Sequence, residues 1–260
     1  MKNYLIDGKQ ESERLNFQNK MDICDLDQEL AHYKWNQEHR VLDAGCGNGN
    51  LVEKLLQKEI KHIDGLDFSD NRIADAKKRF SHLKNVRFFQ GSLEETNLEA
   101  ASYDTIVCRY IYEHLTNPTT VLKELNRLLK PDGEINIINF DDMVFNFHTK
   151  NEAFNKELKK AKSRIPQDLE VGRKLPQYLK QNGYDRVEWQ AVTYFFQGER
   201  LELEKTNSKM RFEQGRENLS RYFDSMKDYE LFVDNYMNEL NDDCNVLSSS
   251  KFLIKARKKT

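Results

Sequence analysis

Apolar positions along the middle of the chain recur in two alternating patterns. Short apolar runs occur at Arg40–Ala44, His62–Leu66, Val86–Phe89, Tyr103–Cys108 and Glu134–Phe140, and these read as five strands. Between them lie stretches with helical spacing. Leu51, Val52, Leu55 and Leu56 mark one face after the first run. Ser69 is placed to cap a helix that carries Ile73, Ala76 and Phe80 on one side. Asn117-Pro118 opens a third helix with proline in its first turn, and Val121, Leu122, Leu125, Leu128 and Leu129 point inward. Pro131-Asp132-Gly133 reads as its stop. Strands alternating with helices predict a parallel sheet covered on both faces.

The flanks are less regular. Phe17, Met21 and Cys24 suggest a short helix, and a second is predicted from about Asp27 to Trp35. Residues 1–38 read either as a lid over a ligand or as packing against a sheet edge. After Phe140, residues 141–167 are polar and lysine-rich, an insertion that reads as a helix either on the surface or over the site. Val171 to Gln181 forms a helical pattern with Leu175, Tyr178 and Leu179 on one face, closed by Asn182-Gly183. Arg186–Phe196 reads as strand 6 and Lys251–Ala256 as a last short strand. Between these two strands, residues 197–247 carry two helical patterns, around Leu219–Met226 and Phe232–Leu240. That is too long for a plain connection and reads as a cap. The expected division is an N-terminal lid (1–38), a core (39–196), a helical cap (197–247), and a last strand with a basic tail (248–260).

Composition narrows the setting. The 260 residues carry a formal net charge of −2, with 32% charged and 38% hydrophobic residues. No global basic field draws the chain to nucleic acid, and no apolar run approaches the roughly 20 residues that span a bilayer. The start MKNYLIDGKQESER is too polar for a secretory signal. Cys24, Cys46, Cys108 and Cys244 form no CxxC pair, so reduced thiols in a cytoplasm are expected, with no metal site. The expected molecule is cytoplasmic, a monomer or homodimer, without nucleic-acid partner or membrane insertion.

The candidate chemistry lies in Val41–Asn50, VLDAGCGNGN. A strand end, a glycine turn and a helix start make the half-site in which α/β proteins hold nucleotide-like ligands. Glycines at 45, 47 and 49 let the backbone turn sharply and let a ligand approach main-chain N–H groups. A dinucleotide fingerprint, GxGxxG, would place its third glycine at Asn50; the spacing here is GxGxG. Asp43 precedes it. A pyrophosphate does not favour a carboxylate beside it, whereas an ammonium or sulfonium does. Asp67 ends strand 2 about 20 residues later, where a carboxylate can accept the hydroxyls of a ribose. Its alternative role is to start the following helix, beside Ser69 and Asp70. Gly91-Ser92-Leu93 follows strand 3, where an adenine ring could lie against Leu93. Cys108-Arg-Tyr-Ile-Tyr-Glu-His114 follows strand 4, beside the crevice where the strand order reverses.

These residues resemble the class I S-adenosylmethionine (SAM)-dependent methyltransferases over about residues 38–140. VLDAGCGNGN looks like that family's first motif and GLDFS like its acidic ribose loop. YDTIVCRYIYEHLTNP and VLKELNRLLKPDGEINI look like its fourth strand, helix and fifth strand. The resemblance implies an α/β, Rossmann-like, doubly wound seven-stranded sheet, mostly parallel with an antiparallel last strand, carrying N-terminal helices and a helical cap before the last strand. It implies SAM as cofactor, with Asp43, Gly45, Cys46, Gly47 and Gly49 around its methionine part. Asp67 would hold the ribose, Phe68 would pack on the adenine, Ser92 and Leu93 would lie in the adenine loop, and Arg109 near the methionine end. The family often has an aspartate where this chain has Ser92. Tyr4-Leu-Ile-x-Gly8, Glu13-Arg14-Leu15, Gln18, Val171-Gly-Arg-Lys-Leu175 and Asn182-Gly-Tyr184 also look like a group acting on secondary metabolites and quinone-like compounds.

The reaction so implied is an in-line displacement that moves a methyl group to O, N or C of a small organic acceptor. His114 is the candidate base, with a structural role at the helix start as its alternative. Tyr4, Tyr110 and Tyr112 are candidates for orienting the acceptor or facing the sulfonium, with ordinary core or interface packing as their alternative. Trp189, Tyr194, Phe195 and Phe196 are candidates for a flat-substrate pocket, although alternation sends Tyr194 and Phe195 to opposite faces. Cys108-Arg109-Tyr110 stands where an Asn-Pro-Pro-Tyr type motif would point to DNA bases or protein amides. The competing readings are a non-catalytic SAM-binding partner subunit and, disfavoured by the glycine spacing, a nicotinamide-dependent dehydrogenase.

Overall fold

The computed structural model describes residues 9–259. Tyr4 and the Tyr4–Gly8 segment lie outside the described residues. Two compact units emerge. One comprises Leu26–Asn139, Glu170–Ala191 and Lys251–Thr260; the other comprises Met1–Asp25, Phe140–Leu169 and Val192–Ser250.

The first unit carries the alternating pattern. Its elements are α2 (Leu26–Leu30), β1 (Arg40–Ala44), α3 (Asn50–Gln57), β2 (His62–Asp67), α4 (Asp70–Arg79), β3 (Val86–Gln90), β4 (Tyr103–Arg109), α5 (Pro118–Leu128), β5 (Leu129–Asp141) and α7 (Val171–Gln181). With them run most of β7 (Tyr184–Phe195) and β8 (Val246–Lys258). The strand order β3-β2-β1-β4-β5-β8, with β7 paired to β8, reverses direction between β1 and β4. The pairs β1–β2, β2–β3, β1–β4 and β4–β5 are parallel. This is the doubly wound α/β arrangement expected from the sequence, and its crevice opens at the strand ends beside β1 and β4.

One face of the sheet buries Leu42, Ala44, Ile106, Cys108, Ile135 and Ile137 against Val121, Leu122 and Leu125 of α5 and Val171, Leu175 and Leu179 of α7. Those helix positions, Val171 apart, are ones the periodicity singles out, and Tyr178 is only partly buried against the same cluster. Alternation turns Asp43, Gly65 and Val107, which share a row across β1, β2 and β4, to the other face. Ser69 caps α4 as expected, its side chain accepting from the Arg72 N–H at 3.4 Å.

Several boundaries differ from the sequence reading. Pro131-Asp132-Gly133 does not separate helix from strand. Strand β5 begins at Leu129, and a register shift opposite Tyr103–Thr105 absorbs the three residues, with Asp132 at φ +60°. Helix α2 ends at Leu30 rather than near Trp35. Strand β8 starts at Val246, five residues before the expected start at Lys251.

The second unit holds α1 (Lys9–Gln18), the two-residue strand β6 (Phe147–His148), α6 (Glu152–Arg164), α8 (Glu199–Leu219) and α9 (Met226–Glu239). Seven strands were expected; β6 makes an eighth, pairing antiparallel with Val246 and Leu247 of β8. Its core is aromatic. Phe147, Phe154, Phe212, Phe232 and Tyr236 meet with ring centroids 5.2–6.3 Å apart. Glu204 is fully buried there and accepts from Asn207, Ser208 and Arg211. The expected short helix at Phe17–Cys24 is instead the end of α1 and a separate turn of 3₁₀ helix at Asp22–Cys24.

Candidate active site at the ends of strands 1, 2 and 4

The glycine turn is tied to the end of β2. The N–H groups of Gly45 and Cys46 both donate to the Leu66 carbonyl, at 2.7 and 3.0 Å. The Gly47 N–H donates to Asp67 Oδ2 at 2.8 Å, and the Gly49 N–H to the Cys46 carbonyl at 2.9 Å. The sequence reading had offered these N–H groups to a ligand; the protein itself uses all four. The glycines matter instead for shape. Gly45 (φ +85°) and Gly49 (φ +87°) adopt left-handed backbone, and a Cβ would fall 2.3 Å from Ile111 Cγ2 and 2.6 Å from Phe80 Cε2 respectively. Gly47, at φ +54°, faces open space on its Cβ side. The turn is thus packed at both ends and open in the middle.

Two carboxylates flank it. Asp67 is 2% exposed, and its Oδ1 accepts from the Ser69 N–H at 2.9 Å. Its backbone carbonyl accepts from the Gly91 N–H at 3.0 Å, which draws the third loop to the same place. Each carboxylate oxygen keeps lone pairs for a further donor. Asp43 is 1% exposed, and its Oδ2 has no hydrogen-bond partner. Burial pushes its carboxyl up to about 8, the Asp67 charge adds to this, and the Arg109 guanidinium partly offsets it. Cys46 is buried beside them, and burial followed by the Asp43 and Asp67 charges holds its thiol well above the ordinary range. An ionised buried carboxylate is costly without a partner, so Asp43 keeps its proton near neutral pH unless a cation lies beside it.

The remaining expected residues arrange themselves around this pair. Phe68 is 39% exposed, a large apolar ring presented next to Asp67. Ser92 follows Gly91, and its hydroxyl accepts from the Glu94 N–H at 3.1 Å, fixing the loop in which Leu93 is half-buried. Arg109 ends β4 with its guanidinium 4.2 Å from the Tyr110 ring centre. His114 closes a 3₁₀ turn at Tyr112–His114, with Nε2 3.7 Å from Glu113 Oε1. Of the aromatics expected to line a flat pocket, Trp189 and Phe195 on β7 are exposed, and Phe196, just after the strand, is buried.

Sequence reasoning missed Glu29 and Lys251. Both are buried, and Glu29 accepts from Arg109 Nε at 2.7 Å, from Lys251 Nζ at 2.8 Å and from the Tyr110 hydroxyl. The available signal was an acid sharing a short helix with Leu26 and Leu30, both buried. Among the described residues no group of His, Cys, Asp or Glu side chains is placed to hold a metal ion, and no helix is long and apolar enough to cross a membrane.

A family model described as a methyltransferase domain matches residues 36–199. A malonyl-(acyl-carrier protein) O-methyltransferase of Halalkalibacterium halodurans is 31% identical over 128 residues, 47% of this chain and 47% of that one. A demethylmenaquinone methyltransferase of Lactococcus lactis is 29% identical over 169 residues, 58% of this chain and 67% of that one. The chain spans about half the length of the malonyl-(acyl-carrier protein) relatives it matches. Among solved structures, a Haemonchus contortus phosphoethanolamine N-methyltransferase, in complex with phosphomonomethylethanolamine and S-adenosylhomocysteine, shares the fold with a TM-score of 0.58. It is 19% identical, and the likeness covers 96% of this chain and 53% of that one. With the model matching more than half of its length, the chain belongs to the methyltransferase-domain family.

Proposed function

We propose that the protein is a SAM-dependent methyltransferase that moves a methyl group to a small organic acceptor. The observation that carries this reading is the pairing of an open-sided glycine turn with two buried carboxylates, one of them, Asp43, with an unpartnered oxygen. A ligand with an ammonium or sulfonium and a ribose satisfies both.

The cofactor supplies a methyl group on a sulfonium. The chain does the rest. Asp43 takes the ammonium of the methionine part, and Gly47 leaves room for that part to pass. Gly45, Cys46 and Gly49 shape the turn. Asp67 accepts the ribose hydroxyls with lone pairs that Gly47 and Ser69 leave available. Phe68 covers one face of the adenine, and Ser92 and Leu93 frame its edge. Arg109 faces the carboxylate of the methionine part. Tyr110 and His114 stand on the segment after β4 that faces the reacting end, where His114 can take a proton from a hydroxyl acceptor. The protein's main task is to hold the nucleophile about 3 Å from the methyl and exclude water.

The names of the relatives support an acceptor of the acyl or quinone type, and the acyl-type relative is named an O-methyltransferase. Incubation with methyl-labelled SAM and fractionated metabolite extract tests the reading. Label in a small-molecule product supports it. Tight SAM binding with no label in any fraction would favour a non-catalytic SAM-binding subunit.

A further inference from the structure

We infer that Glu29 is a positioning residue of this site, setting the direction of Arg109 and the ring of Tyr110 toward the methionine end of the cofactor. The inference rests on the SAM reading above and assigns a role to a residue outside its motifs.

Consecutive side chains of a strand point to opposite faces. Arg109 is the last residue of β4 and Tyr110 is the next, so a continued strand would send them apart. They meet instead on one carboxylate: Arg109 Nε donates to Glu29 Oε2 at 2.7 Å, and the Tyr110 hydroxyl donates to Glu29 Oε1. The backbone change that permits this is visible. Tyr110 is left-handed at φ +56°, an unfavourable conformation for a bulky residue, while its N–H still donates to the Ile138 carbonyl at 2.9 Å. Strain of this kind persists only where surrounding bonds over-determine it. Two of the bonds at this turn, from Arg109 Nε and from the Tyr110 hydroxyl, converge on Glu29.

The anchor is itself fixed. Glu29 is 1% exposed, and Lys251, 2% exposed on β8, donates to the same Oε1 at 2.8 Å. The carboxylate therefore ties a helix, the end of one strand and a second strand. With three donors on its two oxygens it serves as an acceptor and an orienting group. Its effect reaches the site through Arg109, whose Nε bond fixes the rotation of the guanidinium. The stacked Tyr110 ring, 4.2 Å from the guanidinium, holds its plane. Arg109 is also the cation that acts on Asp43. Releasing Arg109 from Glu29 would let that charge swing away from the methionine end and leave the ribose end, built on Asp67, unchanged.

That asymmetry gives the test. Calorimetry with S-adenosylhomocysteine and with adenosine, which lacks the methionine part, is run on the wild type, Glu29→Gln and Tyr110→Phe. For Glu29→Gln the affinity for S-adenosylhomocysteine should fall about tenfold or more, the scale of a lost charge-assisted hydrogen bond, with adenosine affinity held within about twofold. Tyr110→Phe should show a smaller loss in the same direction. Unchanged affinity for both ligands in Glu29→Gln, or an equal loss of both, overturns the inference. If Glu29→Gln does not fold, Tyr110→Phe decides alone: a selective loss supports the inference and no loss overturns it. A wild type that binds neither ligand overturns the SAM reading itself, an outcome distinct from the others.

Discussion

Asp67 Oδ2 accepts the Gly47 N–H at 2.8 Å, so the acid that ends β2 also holds the middle of the glycine turn after β1. One residue thereby has two jobs, and they are measurable separately. Asp67→Ala leaves the Gly47 and Ser69 N–H groups without their acceptor. It is expected to cost about 1–3 kcal/mol of stability in denaturant unfolding and a similar amount of S-adenosylhomocysteine affinity. A variant that loses affinity with unchanged stability would show that the Gly47 tie contributes nothing to folding.

Asp43 makes the site pH-dependent. Its carboxyl sits near 8 in the folded chain against 3.8 for an ordinary aspartate, so the folded protein holds a proton that the unfolded chain has lost. The stability from this group is fully present below about pH 4 and is lost as pH rises through about 8. Ligand binding runs the other way. An ammonium beside Asp43 favours the ionised form, so binding below pH 8 releases a proton. Affinity should climb from pH 6 to pH 8, by up to about tenfold per unit, and then level off. Calorimetry in buffers of different ionisation enthalpy reads the released proton, and Asp43→Asn should abolish both the release and the slope.

The glycines separate packing from access. Gly45→Ala drives a Cβ toward Ile111 in a left-handed backbone and should destabilise the protein by about 2–3 kcal/mol. Gly47→Ala meets no protein atom within 4 Å and should cost only about 1 kcal/mol. Its loss of S-adenosylhomocysteine affinity should exceed that of Gly45→Ala once stability is matched. The reverse ranking in binding would place the ligand elsewhere.

His114 tests the acceptor side. His114→Ala should leave S-adenosylhomocysteine affinity within about twofold, because the residue lies on the 3₁₀ turn beyond Arg109 and Tyr110. A hydroxyl acceptor should lose rate by about a hundredfold, and a carbon or amine acceptor by less. An unchanged rate with a hydroxyl acceptor assigns His114 a structural role.

Much of this arrangement was legible in the sequence because it is local. The glycine spacing, the acids at 43 and 67, the Ser69 cap and the leucine face of α5 each declare themselves within a few residues. Less legible was anything set by distant partners. The N–H groups of the glycine turn look available in the sequence because the Leu66 carbonyl that takes those of Gly45 and Cys46 belongs to the next strand. Glu29 looked like an ordinary helix acid because its partners lie 80 to 222 positions away. Pro131-Asp132-Gly133 reads as a stop signal, and only pairing against β4 turns it into an irregularity within one strand. The lysine-rich stretch at 141–167 reads as helical without showing where the helix starts, and nothing in its periodicity announces the aromatic core that Phe147 and Phe154 share with α8 and α9.

The most direct test of the central claim is a calorimetric titration of the wild-type chain with S-adenosylhomocysteine and, separately, with NAD. Saturable one-to-one binding of S-adenosylhomocysteine, weakened by Asp67→Ala and stronger than that of NAD, is the expected result. Preferential binding of NAD, or no binding of S-adenosylhomocysteine at any pH from 6 to 8, would contradict the account.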